Sequence, residues 1–99
     1  MRAPKNRIAY PRKQILEVLR TLEELVVSLD QLGSADMTKQ EHDSAVSHFI
    51  QRHRIFRKAA RARRILSEPF PAAVGADGMD ELEREMQDIQ YWRDRRRKR

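Results

Sequence analysis

Apolar residues in the first third of the chain recur at helical spacing. Ile15, Leu19, Leu22, Val26 and Leu29 follow one another at steps of four, three, four and three. That repeat aligns side chains along one stripe of a helix and, when sustained, makes the seam of a coiled coil. Leu16, Val18, Leu25 and Leu32 widen the stripe. Pro11 suits a first helical turn, and Gly33 suits the left-handed residue that often closes a helix. Ser34 to Thr38 then reads as a short turn. Thr38 followed by Glu41 is a capping-box pattern, and it opens a second helix predicted to run unbroken from Thr38 to Ser67. Pro69 and Pro71 stop it. Phe70 to Val74 is expected to make one short helical turn closed by Gly75, and Ala76-Asp77-Gly78 a break. Asp80 then caps a third helix carrying Leu82, Met86, Ile89 and Trp92 on one stripe. No strand-like alternation is present.

The expected fold is therefore all-α. A loose basic arm spans 1–10, a long antiparallel helical hairpin 11–75, and a shorter C-terminal helix with a basic tail 76–99. Five residues between two long helices favour the antiparallel arrangement. The nine apolar positions of the first helix exceed what one partner helix can cover, and small chains in that situation usually oligomerise. Two copies closing a four-helix bundle is the expected solution. The alternative is a monomeric three-helix bundle completed by the third helix.

Composition narrows the possibilities. In 99 residues there is no Cys, so disulfides and thiolate metal sites are excluded. No apolar run approaches the length of a membrane span, and the basic start (Arg2, Lys5, Arg7) has no apolar stretch behind it, so no secretory leader is expected. The net charge of +6 hides a block pattern. Residues 44–66 hold seven Lys/Arg and no acid, whereas 21–43 hold six acids and one Lys. Such blocks suit helices whose opposite charges face one another, or a basic face turned toward an anionic partner.

On an unbroken second helix, at about 100° per residue, Ala45, Phe49, His53, Phe56 and Ala60 form the core stripe. Arg54, Arg57, Lys58, Arg61 and Arg64 make one ridge beside it, and Arg52 and Arg63 fall on the other margin. Like charges at i, i+3 and i, i+4 repel, so a helix selected for stability alone would interleave Glu. The omission points to a ligand with repeating negative charge. A nucleic-acid backbone has that character, and a straight rod of about 29 residues, roughly 43 Å long, suits a duplex lying along it. Double-stranded RNA is read in this way, largely by shape. The aromatic residues do not interleave with the ridge, which disfavours a single-strand stacking platform. A solvated basic face, or one that meets a membrane surface or an acidic protein, remains the alternative.

The stretch Lys58-Ala-Ala-Arg-Ala-Arg-Arg-Ile-Leu-Ser-Glu-Pro69 resembles the end of the long second helix in the nodavirus RNA-silencing suppressors. Arg61, the aliphatic pair Ile65-Leu66, Ser67-Glu68, Pro69 and Ala72-Ala73-Val74-Gly75 stand in the family's order. The resemblance implies an antiparallel four-helix homodimer. Such a dimer binds double-stranded RNA in the host cytoplasm without sequence preference, and shields it from the silencing machinery. It also implies a backbone-contacting basic pair seven residues apart, matched here by Arg54 and Arg61. The Leu82–Trp92 stripe and the basic C-terminus are less like the family.

The expected RNA-binding residues are thus Arg54, Arg57, Lys58, Arg61 and Arg64, with Arg52, Arg63 and His53 as secondary candidates. Double-stranded RNA and a second copy of the chain are the expected partners; no membrane and no small-molecule substrate is expected. His42, His48 and His53 lack metal-ligand spacing. The acids Glu17, Glu23 and Glu24 read as solvated or paired rather than as an acid–base dyad. No phosphate loop is present, so neither enzymatic activity nor a cofactor is expected. The other class of function that fits is a coiled-coil adaptor of a microbe or phage that docks on an acidic protein.

Overall fold

A computed structural model of the chain describes residues 7–94 and 96. These residues are all-helical: α1 spans Arg12–Ser34, α2 Lys39–Arg52, α3 Ile55–Ser67 and α4 Glu81–Met86. The chain divides into two compact units, one ending at Pro69 and the other beginning at Phe70. Residues 1–6 of the expected basic arm, and most of the basic tail after Asp94, lie outside the described residues.

In the first unit, α1 begins after Pro11, which occupies the cap position. Gly33 does not end this helix. It lies inside it, nothing comes within 4 Å of where a Cβ would sit, and the chain leaves through Ala35 in an extended conformation. The Thr38–Glu41 capping box forms in both directions. Glu41 N donates to Thr38 Oγ1 at 3.1 Å, and Thr38 N donates to Glu41 Oε1 at 2.9 Å. Two orphan amides at the start of α2 are thereby satisfied.

The second helix expected from the sequence is in fact two. It breaks at His53–Arg54, where Arg54 adopts a left-handed conformation with φ of 52°. Neither Gly nor Pro marks the place. Contacts with α1 accompany the break. In an unbroken helix His53 and Lys58, five residues apart, would point about 140° away from each other. The break brings both to Glu24, with His53 Nδ1 3.0 Å from Oε2 and Lys58 Nζ 2.8 Å from Oε1. It also changes which residues face inward. Phe49 of α2 is buried, and α3 then contributes Ala62 and Ile65, which cluster with Val18 of α1. Phe56, expected in the core stripe, is 80% exposed instead.

On α1 the more covered stripe is Val18, Thr21, Leu25, Ser28 and Leu32. The apolar seam that the spacing makes most prominent faces outward. Leu19, Leu22, Val26 and Leu29 are each about half exposed or more.

In the second unit no helix forms over Phe70–Val74. Asp80 and Glu83 make a reciprocal capping box that starts α4, but the helix ends at Met86, so Ile89 and Trp92 never join its stripe. A six-residue helix with no buried side chain has no packing to stabilise further turns. Ahead of it, Gly75 N donates to Met79 O, and Arg84 reaches back to both Asp77 carboxylate oxygens at 2.9 and 3.0 Å and to Met79 O at 3.1 Å. Gly78 takes φ of 79° in this loop, a conformation glycine adopts without the Cβ penalty.

Candidate nucleic-acid interface

The basic ridge predicted as one straight line is divided by the break. Arg52 is the last residue of α2, His53 caps it, and Arg54 occupies the left-handed junction. Arg57, Lys58, Arg61 and Arg64 all lie on α3. At about 100° per residue they fall within about 120°: Arg57, Arg61 and Arg64 lie on one flank of the Ile55–Ala62–Ile65 stripe, Lys58 falls at its edge between Ile65 and Ala62, and Arg63 lies on the other flank. All of these cations are exposed. Four of the five ridge residues thus share a face, but the rod that carries them is 13 residues long, or about 20 Å rather than 43.

The flank is not uniformly free. Arg61 Nε donates to Glu17 Oε2 at 2.7 Å, and its NH2 group approaches Oε1 at 3.4 Å. Lys58 donates to Glu24. Among the described residues Arg54, Arg57 and Arg64 make no ion pair. Glu17 and Glu24 are carboxylates of α1 seven residues apart, on the margin next to the packed stripe. The hydrogen bond from Arg61 holds Glu17 below the ordinary Glu pKa and raises that of Arg61. The bonds from Lys58 and then His53 hold Glu24 below it. Together these contacts place two neutralised cations beside α1 and the unpaired ones farther out. The spacing of Glu17 and Glu24, opposite a helix segment without acids, was the available signal for this pairing. Glu23 makes no ion pair among the described residues.

His53 leans against Phe49, with ring centroids 5.0 Å apart and planes 53° from parallel. An open groove runs between Leu16 and Leu19 of α1 and Lys58 and Arg61 of α3. Among the described residues no three His, Asp or Glu side chains stand together so as to hold a metal ion, and no described helix is long and apolar enough to cross a membrane.

The contacts between the Tyr10–Glu24 stretch and the His53–Leu66 stretch run in opposite chain order. The Tyr10 hydroxyl donates to Leu66 O, Glu17 meets Arg61, and Glu24 meets Lys58 and His53. Compared with known proteins, the chain matches no family model, no curated protein and no solved structure.

Proposed function

We propose that this protein binds double-stranded RNA without sequence preference, as a homodimer, and acts by shielding the duplex rather than by catalysis. The observation that carries this reading is the α3 flank. Arg57 and Arg64, unpaired among the described residues, lie beside Lys58 and Arg61, with Arg54 at the helix entry and no acid between Ser44 and Leu66. A one-sided row of cations suits a ligand whose charges repeat along a rail. The resemblance of residues 58–75 to the nodavirus silencing suppressors supports duplex RNA in a host cytoplasm as that ligand. The homodimer, with hairpins paired into a four-helix bundle, is supported by the uncovered seam of Leu19, Leu22, Val26 and Leu29, whose three-four spacing suits a second copy.

The test is a binding titration with duplex RNA of about 16 base pairs, duplex DNA of the same sequence, and each single strand. Duplex RNA of any sequence should bind tightest. Affinity should fall steeply with salt, by about 0.9 in the log–log slope for each phosphate contact if the duplex-DNA value transfers. Arg57→Glu combined with Arg64→Glu should abolish binding while leaving helicity intact. Equal affinity for DNA or single strands overturns the RNA assignment. Retention of an acidic protein after nuclease treatment would favour the adaptor reading instead. Sedimentation as a monomer at micromolar concentration removes the dimer.

A further inference from the structure

The geometry points to Glu17 and Glu24 as built-in competitors for phosphate, which occupy two of the ridge cations in the free protein and set how extended a polyanion must be to displace them. This inference rests on the RNA-binding reading above and concerns the regulation of that same surface. Lys58 and Arg61 are the ridge residues nearest α1, and each is held by one carboxylate at 2.8 and 2.7 Å. A phosphate group that approaches either must break an existing charge-assisted hydrogen bond. Arg57 and Arg64 on the outer part of the flank, and Arg54 at the junction, carry no such competitor among the described residues. A ligand with a single phosphate either settles on one unpaired cation or must break an existing bond at a paired one, with no second phosphate to offset that loss. A duplex backbone engages the unpaired cations first and then presents further phosphates at Lys58 and Arg61 without an additional association step, so effective concentration favours the exchange. The acids thus act as a threshold against mononucleotides and short anions.

Glu23 supplies the control. It is exposed, sits on the same helix, and makes no ion pair among the described residues, so E23Q changes the net charge as E17Q and E24Q do without releasing a cation. The Asp variants supply a second control, because E17D and E24D keep the charge and withdraw the carboxylate by one methylene. The experiment is a fluorescence titration of the full chain against duplex RNA of about 16 base pairs and against a mononucleotide, at low and high salt, with helicity followed by circular dichroism.

E17Q and E24Q should each tighten duplex binding by about 1.5- to fivefold, the range that exposed ion pairs support. The gain should exceed that of E23Q and shrink as salt rises. Mononucleotide binding should become measurable when both are replaced. E17D and E24D should tighten binding by a smaller factor. If the Gln variants lose helicity, the Asp variants decide the matter, and no tightening over wild type overturns the proposal. E17Q and E24Q matching E23Q overturns the competitor role alone and leaves the RNA reading standing. A wild-type chain that ignores duplex RNA overturns both.

Discussion

Phe49 and Phe56 stand seven residues apart, a spacing that would stack them on one face of a continuous helix, yet Phe49 is 6% exposed and Phe56 80%. The left-handed residue between them turns α3 so that Ala62 and Ile65 take the inward positions. Phe49→Ala should therefore cost about 3–5 kcal/mol, as buried Phe truncations do, and unfold much of the first unit at ambient temperature. Phe56→Ala should stay within about 0.5 kcal/mol of wild type. Thermal melts of the two variants check this, and equal losses would restore the continuous helix.

The junction makes a prediction of opposite sign to ordinary helix propensity. A side chain with a Cβ in the left-handed region costs about 1–2 kcal/mol, and a β-branched one is a marked outlier there. Arg54→Gly should melt higher than Arg54→Val by roughly that amount. In an uninterrupted helix interior Gly would be the worse of the two by a few tenths of a kcal/mol, so the order of the two melting temperatures separates the arrangements.

The α1 carboxylates should contribute to the acid limb of stability, beside Glu41, which the Thr38 cap also holds below its ordinary value. Glu17 and Glu24 have folded-state pKa values below their ordinary value of 4.5, set first by Arg61 and by Lys58 respectively. A depressed carboxylate pKa contributes stability that is fully present above the unfolded value and is lost as pH falls through the folded one. The melting temperature should be flat with respect to these two groups at neutral pH and decline below about pH 4.5. E17Q combined with E24Q should flatten that decline.

The loop ahead of α4 offers a local titration. Hydrogen bonds from Arg84, then from the Met79 amide, bring the Asp77 pKa down from 3.8 to about 2. Arg84→Met should return Asp77 toward the usual carboxylate range, read by the chemical shift of its side chain against pH. An unchanged midpoint would mean that the Asp77–Arg84 clasp does not form in solution.

How much of this was legible from the residues depends on whether the information is local. The Thr38–Glu41 box and the Asp80 cap were readable because both partners lie within one turn. The extent of α1 followed from its spacing to within a residue or two. The break at Arg54 was not readable, because neither Gly nor Pro marks it and the contacts that accompany it reach Glu24, 30 residues away on another helix. Comparable or longer separations, 34 residues for Lys58–Glu24 and 44 for Arg61–Glu17, put the engagement of those cations beyond local pattern as well. Periodicity located the apolar seam of α1 but not which neighbouring stripe would be covered. Thr21 and Ser28 face inward on a narrower, more polar line, while Leu19, Leu22, Val26 and Leu29 point out. The short α4 reflects missing tertiary support, which a stripe of Leu82, Met86, Ile89 and Trp92 does not reveal.

The Tyr10 hydroxyl, bonded to the Leu66 carbonyl, has a consequence for how the first unit comes apart. Leu66 is one residue from the end of α3, where helix carbonyls lack an intrahelical donor and fraying ordinarily begins. A phenol anchored just ahead of α1 acts there as a chock. Loss from that end requires the segment before α1 and the final turn of α3 to let go together, whereas the start of α2 is fastened by local contacts, its own capping box and the exposed Lys39–Asp43 pair. Amide exchange should accordingly be slower through Ile65–Glu68 than through Lys39–Asp43, and Tyr10→Phe should erase the difference.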